Sequence, residues 1–415
     1  MKSSEVKGEA PENHEPCQQG LHLARGARME FGLFVQAHVP RREMEADPAG
    51  AEHSRLMREL ELAVHADRCG WKYVWSVEHH FLEEYSHISA SEIFLPYVAA
   101  RTQRVHVGSA IYNITPPVNH PARIAERVAM LDHLSEGRFE FGTGRGSSST
   151  EFKGFGIPDG ETTRAMFDES LREILRMWRE TKYAYEGRYF SMPERNVLPK
   201  PYTKPHPPLW VACGSPSTFE KAGRLGLGAL CFSMGTPKDF APLIRIYKDA
   251  IRHAEPVGGF VNDNVACVTA LVCDQDRKRA RRIALDMGSG YHTSLVFRYL
   301  DTFPRPAGVP QWPQLIPDPT PEQLEERIAS GQRIVGDPDE CAKAVQQYAD
   351  VGCDQIIFGV LASTQPQELA LRSVELFGTE VVPRFDKDPL HSTTRMREAA
   401  LARAAAPGVA AQAAG

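Results

Sequence analysis

The 415-residue sequence lacks a run of about 18 apolar residues, the length that a membrane-spanning helix requires. Its N-terminus also lacks the apolar core of a signal peptide, because residues 2–27 are largely charged or polar and include Pro11 and Pro16. Long basic runs are absent too, and the formal net charge is only −5. These absences argue against a membrane or a nucleic acid as partner and predict a cytoplasmic protein.

The eight cysteines form no Cys-x-x-Cys pair, and most of them fall inside apolar runs. This distribution argues against a disulfide framework and a zinc site, and it predicts buried thiols in a reducing compartment. We therefore expect no metal. A nicotinamide fingerprint is also missing, since the glycines of 142–146 do not have the Gly-x-Gly-x-x-Gly spacing and precede three serines.

What the sequence does contain is a regular alternation of short apolar runs and segments with helical periodicity. Eight runs are apolar on both faces, or nearly so, and Val265–Val272 is the clearest. Such runs predict strands of a parallel sheet that helices cover. The predicted strands span residues 30–36, 72–77, 104–111, 138–142, 209–213, 228–232, 264–273 and 354–359. Eight strand–helix units favour a closed (β/α)8 TIM barrel over an open doubly wound sheet.

We assign the barrel to residues 29–385, between an N-terminal tail (1–28) and a C-terminal tail (386–415). Composition does not decide whether either tail is disordered or docks on the surface. An aromatic and proline-rich insertion at 288–336, with one predicted helix at 321–330, precedes the eighth strand. It is either a lid over the barrel or a surface excursion without function.

The first candidate site segment is Val77–Phe81, directly after the second predicted strand, where active-site residues of barrels lie. It contains Glu78, His79 and His80, and histidine suits a general base near neutral pH. The spacing is not His-Glu-x-x-His, which argues against zinc. The alternative is that both histidines only cap local backbone groups.

Three further strand ends carry residues suited to a ligand. Gly144 and Arg145 follow the fourth strand, where glycine lets the backbone approach a ligand and the guanidinium suits a phosphate. Ser215 to Thr218 follow the fifth strand and predict a helix N-terminus with hydroxyl groups, another phosphate-binding arrangement. Small residues around Ala110 end the third strand and leave room for a flat ligand. A tight turn, simple capping and core packing would explain these same residues.

Together these segments resemble the bacterial luciferase α-chain family. Two motifs carry the resemblance as a pair: Glu-His-His-Phe at 78–81 and Gly-Arg-Phe-x-Phe-Gly-x-x-Arg-Gly at 137–146. The match runs in order over about residues 29–235 and continues more weakly to 385. The matching segments are Met29–Phe34, Trp75–Phe81, Val107–Ala110, His120–Pro121, Asp132–Gly146 and Val211–Thr218.

The resemblance implies a flavin-dependent monooxygenase that uses reduced FMN and O2 to insert one oxygen atom into a small, apolar substrate. His79 would be the active-site histidine at the flavin ring, as a base or as a stabiliser of the peroxide. The cofactor-binding residues that it implies are Ala110, Gly144, Arg145, Gly214, Ser215 and Thr218. Among these, Arg145, Ser215 and Thr218 would hold the FMN phosphate.

The resemblance also implies a non-proline cis peptide at Ala110–Ile111 or, as the alternative, at Ser109–Ala110. It further implies a separate NAD(P)H:flavin reductase as partner and a homodimer. Two positions depart from luciferase itself: its reactive cysteine is Gly144 here, and the acidic residue before its phosphate-binding serine is Gly214. Light emission is therefore not implied. Two alternatives remain open, a deazaflavin-dependent hydride-transfer oxidoreductase on the same barrel and a non-catalytic flavin-binding protein.

Overall fold

The structure is a computed structural model that describes residues 28–232, 235–303, 305–360 and 365–406. Eight parallel strands form its centre, and all eight were predicted from the sequence. We number them in chain order as β1 Glu30–Val35, β2 Tyr73–Ser76, β3 His106–Ser109, β4 Phe139–Gly144, β5 Leu209–Cys213, β6 Gly228–Cys231, β7 Val265–Cys273 and β8 Gln355–Gly359.

Each of these strands pairs in parallel with the next one along the chain. The last strand then pairs with the first, in a register that sets Phe31 opposite Ile356. The sheet therefore closes on itself and presents no free edge. This closure confirms the predicted (β/α)8 barrel and rules out the open doubly wound sheet.

Helices cover the outside of the barrel because each carries an apolar stripe at helical spacing. In the helix after β4, for example, Ile174, Leu175 and Trp178 are buried against the barrel. The described helices are Arg41–Ala46, Ala51–Arg68, Ser91–Arg101, Pro121–Leu134, Ser149–Gly154, Thr162–Arg179, Pro216–Arg224, Pro237–Ile251, Arg277–Asp286, Ser289–Tyr299, Pro321–Ala329, Pro338–Asp350, Gln367–Glu380, Val382–Phe385 and Ser392–Ala405.

The insertion before β8 contains more regular structure than the sequence predicted. Besides the expected helix, here Pro321–Ala329, it has a helix at Ser289–Tyr299 and a strand at Ile334–Gly336 that pairs with the end of β7. The prediction missed the first helix because its apolar residues pack against Leu82 and Tyr85, a distant part of the chain. The remaining strands are Tyr112–Asn113, beside β4, and the antiparallel hairpin Tyr183–Glu186 with Ser191–Arg195.

Two tryptophans, Trp75 and Trp210, fill the middle of the barrel and contact each other edge to face at 5.2 Å between ring centroids. Glycines on the neighbouring strands make room for them. A Cβ on Gly108 would lie 2.3 Å from the Trp75 ring, so no larger residue fits there. The barrel below its mouth is therefore a packed core and not a channel.

The N-terminal ends of the strands carry a buried polar network. Glu30 accepts hydrogen bonds from Lys72 Nζ (2.8 Å) and Tyr73 Oη (2.7 Å). Burial would raise the pKa of Glu30, but the charge of Lys72 and its hydrogen bond lower it to about 2. The segment after residue 386 packs here, because Ser392 donates to Glu30 and Thr393 donates to the buried Glu140 at 2.6 Å.

The seven cysteines in the described part of the chain are free thiols, and all but Cys69 are buried. Cys17 lies outside that part, as does nearly all of the predicted N-terminal tail. Within the described ranges, no helix has both the length and the apolar character needed to cross a membrane.

Candidate active site

A cavity of about 910 Å³ opens at the C-terminal end of the barrel, beside the ends of β1, β6, β7 and β8. Its inner wall is largely apolar and includes Phe34, Phe232 and Val268. The insertion supplies the opposite wall, with His292 and Val296 among its residues. A cavity of this size at this end of a barrel is the usual form of a small-molecule site.

The insertion continues from this cavity across the barrel mouth to β4 and β5. The hydroxyl of Thr302 donates to the carbonyl of Ser147 (2.9 Å), and Asp301 accepts from the backbone N–H of Ser149 (2.8 Å). The ring of Phe303 lies on Gly214, where a Cβ would come within 2.4 Å of it. The insertion thus covers the loops that carry the predicted phosphate-binding residues.

His79 is held by a buried carboxylate. Its Nδ1 lies 3.1 Å from Oε1 of Glu151, and the same oxygen accepts from the backbone N–H of His80 at 2.9 Å. The Glu151 side chain is 5% exposed and that of His79 is 15% exposed. A carboxylate at Nδ1 favours the tautomer in which that nitrogen carries the proton, which leaves Nε2 free to accept one.

His80 makes a separate pair with Glu78, at 3.1 Å between Nε2 and Oε1. Asn119 donates to the same carboxylate oxygen at 2.9 Å. Burial raises the pKa of Glu78. Burial alone would lower the pKa of His80, but the hydrogen bond to Glu78 and the charge of that residue raise the pKa of His80 above its ordinary value. The two adjacent histidines therefore have different partners, and neither binds only local backbone groups.

Arg145 has no carboxylate partner among the described residues. One of its nitrogens, Nη1, donates to the carbonyl of Gly160 and to the hydroxyl of Thr163, both at 2.7 Å. Burial and the charge of Arg164 lower its pKa, because both disfavour the charged form. These contacts hold the guanidinium in one orientation without neutralising it, which is the state expected of an anion-binding arginine.

A cluster of hydroxyl groups surrounds the start of the helix Pro216–Arg224. Ser215 Oγ lies 3.1 Å from Ser217 Oγ and 3.2 Å from Thr218 Oγ1. Thr218 Oγ1 also accepts from the backbone N–H groups of Gly214 and Ser215 and donates to the carbonyl of Ser215 at 2.8 Å, so it caps the helix as well. Hydroxyl groups at a helix N-terminus form a favourable environment for an anion.

The peptide bond between Ala110 and Ile111 is cis, as the resemblance implied. It follows β3, and the Ala110 N–H donates to the carbonyl of Ser76 at the end of β2 (2.7 Å). Ile111 lies against Gly144, where a Cβ would come within 2.5 Å of the isoleucine side chain. Gly144 therefore allows the two loops to approach each other closely.

The predicted residues follow four neighbouring strands, β2 to β5, at one end of the barrel. His79 follows β2, Ala110 follows β3, Arg145 follows β4 and Ser215 follows β5. None of the seven predicted site residues lines the large cavity, which occupies the other half of the mouth. The mouth is thus divided between a polar half over β2 to β5 and a largely apolar half over β6 to β8 and β1.

Sequence reasoning missed several groups in and beside the cavity. His38 and His292 contact each other at 4.9 Å between ring centroids, and burial lowers their pKa values to about 4 and about 3. Both are therefore neutral near pH 7. Burial raises the pKa of Glu59 to about 7, and Arg333 also lies in the cavity wall. Only the position of His38 just after β1 could have marked it, since the other three lie on helices or in the insertion.

No group of three or more histidine, cysteine, aspartate or glutamate side chains in the described ranges could hold a metal ion. The hydrogen-bonding groups of the polar half suit an organic anion instead.

Comparison with known proteins agrees with this geometry. The family model for luciferase-like monooxygenases matches residues 29–355. The chain therefore belongs to the luciferase-like monooxygenase family, and the predicted resemblance is confirmed. The members of this family are oxidoreductases, and this chain is therefore assigned to that enzyme class.

Individual relatives differ in the reaction that their names state. The 4-hydroxyprotoasukamycin monooxygenase of Streptomyces nodosus subsp. asukaensis is 30% identical over 370 residues, which cover 86% of this chain and 93% of that protein. An F420-dependent glucose-6-phosphate dehydrogenase of Kineococcus radiotolerans is 26% identical over 352 residues, which cover 81% of this chain and 95% of that protein.

A solved structure gives the same fold. The oxygenating constituent of 3,6-diketocamphane monooxygenase from Pseudomonas putida, in complex with FMN, matches with a TM-score of 0.69 at 20% identity. The match covers 86% of this chain and 99% of that one. At this identity the likeness establishes the barrel architecture only.

Proposed function

We propose that this chain is the oxygenating component of a two-component monooxygenase that uses reduced FMN and O2. The observation that carries the proposal is Arg145, a fixed guanidinium without a carboxylate partner among the described residues. It follows β4, and the hydroxyl cluster of Ser215 and Thr218 follows the adjacent strand β5. A cation and hydroxyl donors at one edge of a barrel suit the terminal phosphate of FMN.

The residues beside this edge fit the rest of the cofactor. Gly144 and Gly214 carry no side chain where the loops approach each other, and Gly214 adds no negative charge near the phosphate position. When bound, reduced FMN supplies the electrons that activate O2. The loops after β3, β4 and β5 would hold it, with Ala110 at the cis peptide and Arg145, Ser215 and Thr218 at the phosphate.

His79 is the residue that we propose for proton transfer. Glu151 holds its Nδ1, and no described residue hydrogen-bonds its Nε2. A neutral imidazole in this arrangement accepts a proton at Nε2, and the buried carboxylate stabilises the imidazolium that forms. A positioned group of this kind contributes about 100-fold or more to a reaction rate.

The cavity in the other half of the mouth is the proposed substrate site. Its apolar wall favours a small organic molecule, and the insertion that covers it limits the access of water. The chain has no nicotinamide fingerprint, so we propose that a separate NAD(P)H:flavin reductase supplies the reduced flavin.

The proposal is tested by anaerobic titration of reduced FMN into the wild-type protein and into Arg145→Ala. Loss of a charge-assisted contact to phosphate should weaken binding by about 10- to 150-fold. Arg172→Ala, an exposed arginine on the helix Thr162–Arg179, is the matched control and should bind like the wild type. Normal binding by Arg145→Ala would place the phosphate elsewhere.

Cofactor and turnover measurements separate the alternatives that the F420-dependent relative raises. A monooxygenase consumes O2 and forms an oxygenated product when a reductase, NADH and FMN are supplied with aldehydes, ketones or terpenes. A deazaflavin-dependent enzyme would instead bind reduced F420 and turn over without O2. A protein that binds FMN but supports neither reaction would be a non-catalytic flavin-binding protein.

A further inference from the structure

Arg333 lies in the wall of the large cavity, just before the strand Ile334–Gly336. Burial lowers its pKa, and the charge of nearby Arg327 lowers it further. Tyr348 and His292, in the described part of the chain, also interact electrostatically with it, but both are neutral at pH 7 because burial raises the pKa of Tyr348 and lowers that of His292. Among the described residues, no carboxylate neutralises the Arg333 guanidinium.

Another arginine near the insertion is paired in the ordinary way. Arg281, on the helix before the insertion, is paired with both Glu325 and Glu340 at 2.8 and 2.7 Å. Arg327 lines the cavity beside Arg333, and it too forms no ion pair with a described residue. Both residues are half-buried, and two guanidinium groups without an ion-pair partner in one cavity wall offer a place for an anion.

The acidic groups of the same wall also include Glu45 and Asp286, and among the described residues none of them forms an ion pair with Arg333 or Arg327. Glu84 accepts from the backbone N–H of Arg41 and from the hydroxyl of Tyr291. Asp318 accepts from the backbone N–H of Gly290. Glu59 accepts from the backbone N–H of Ala37, just after β1. Burial raises the pKa of Glu59 to about 7, so this carboxyl group is only partly charged at neutral pH.

The remainder of the wall sets the character of the rest of the ligand. The side chains facing the cavity include Phe34, Phe232, Val268 and Val296, which suit an apolar body. His38 beside them is neutral near pH 7 and offers hydrogen bonds without charge. The wall therefore combines an apolar surface with four arginines, of which Arg327 and Arg333 lie in the insertion and Arg41 and Arg42 follow β1.

We propose that the substrate of this enzyme is a small organic acid, whose carboxylate Arg333 binds with Arg327 beside it and whose apolar body lies along Phe34, Phe232 and Val268. The proposal names a substrate class and rests on the proposed function, because it takes the cavity as the substrate site. The proposed carboxylate site at Arg333 is distinct from the proposed phosphate site at Arg145, which lies over other strands.

The test measures binding of decanoate and of its neutral analogue 1-decanol to the purified full-length protein by calorimetry. The wild-type protein should bind decanoate more tightly than 1-decanol. Arg333→Gln should weaken decanoate binding by about 10- to 150-fold and leave 1-decanol binding unchanged. Arg333→Lys should restore part of the loss, because it keeps the charge but not the planar guanidinium.

Arg282→Gln is the matched control, since Arg282 is exposed on the helix Arg277–Asp286 and does not line the cavity. It should bind decanoate as the wild type does. The proposal is overturned if Arg333→Gln binds decanoate normally, or if the wild-type protein binds decanoate and 1-decanol equally.

A parallel titration with FMN separates the two possible sources of the anion. If Arg333→Gln loses affinity for FMN and Arg145→Ala does not, the flavin phosphate occupies the Arg333 position and the carboxylate proposal is wrong. If decanoate binding depends on Arg333 but the protein binds no reduced FMN, the organic-acid site stands and the flavin function fails. The two failures are therefore distinguishable.

Discussion

The pairing of His79 with Glu151 gives the sharpest prediction about catalysis. Glu151→Gln keeps the size of the side chain and an oxygen that can accept from the His80 N–H, but it removes the negative charge opposite His79 Nδ1. If His79 takes up a proton during turnover, the imidazolium loses a buried carboxylate at 3.1 Å. The expected kcat is therefore lower, while reduced FMN still binds at its separate phosphate site.

The magnitude follows from the kind of contact that is lost. A hydrogen bond to a charged group contributes about 1.5–3 kcal/mol, and each 1.36 kcal/mol of barrier is a factor of ten in rate. Glu151→Gln should therefore lower kcat by about 10- to 150-fold. His79→Gln removes the proton-transfer group itself and should lower kcat by about 100-fold or more.

The double variant decides whether Glu151 acts through His79. If it does, Glu151→Gln adds nothing once His79 is gone, and the double variant turns over like His79→Gln alone. Independent roles would instead multiply the two losses, to about 1,000-fold or more. The assay supplies NADH, a flavin reductase, FMN and whichever aldehyde, ketone or terpene the wild-type enzyme oxygenates, and it measures product.

Glu194→Gln is the control, because Glu194 is exposed on the strand Ser191–Arg195, away from the candidate site. The Kd for reduced FMN should be the same in all of these variants. Unchanged kcat in Glu151→Gln, or fully multiplicative losses in the double variant, would refute the proposed role of the pair.

Two further predictions concern stability and assembly. Lys72→Met removes the cation that hydrogen-bonds to the buried Glu30 and also pairs with Asp386, and it leaves Glu30 only the more distant Arg28 at 3.7 Å. It should cost about 3 kcal/mol in urea unfolding, whereas the exposed Lys343→Met should cost almost nothing. The pKa of Glu30 is about 2 in the folded protein, and its ordinary value is 4.5. The contribution of Glu30 to the free energy of unfolding is therefore fully present above pH 4.5 and disappears as the pH falls towards 2. The Lys72 variant should lose this pH dependence. We also expect a homodimer through the adjacent helices Ser91–Arg101 and Pro121–Leu134, where the side chain of Ile93 is 71% exposed. Ile93→Glu should therefore yield monomers in sedimentation velocity. If the variant keeps the mass of the wild-type protein, this interface is wrong.

The barrel strands could be predicted from the sequence because local chemistry determines them. A strand buried on both faces must be apolar along its whole length, and Val265–Val272 satisfies that requirement without reference to the rest of the chain. The helix Ser289–Tyr299 was missed although Tyr291, Leu295 and Tyr299 recur every four residues. It lies in a proline-rich insertion, and only the folded chain places it on Leu82 and Tyr85.

The same distinction applies to the candidate site. His79 and Arg145 could be found because they lie in motifs directly after strands, where the barrel topology itself brings side chains together. Glu151 lies on a six-residue helix that is too short for a periodic signal, and only the folded chain places it at His79. Arg333 is one of 48 lysines and arginines, and nothing in its local sequence shows that it lacks a partner.

The treatment of charge at the two ends of the barrel connects the fold with the proposed function. At the N-terminal end, Glu30 is neutralised by Lys72. At the C-terminal end, Arg145 and Arg333 are held among protein groups without any described carboxylate to neutralise them. Leaving a cation unpaired costs stability. At the N-terminal end, Arg138 also has no described carboxylate partner, but its guanidinium donates to the carbonyls of Ala99 and Val105. Arg145 and Arg333 instead lie at the end of the barrel where ligands bind, and we propose that each binds a separate anionic group: one on the cofactor, the other on the substrate.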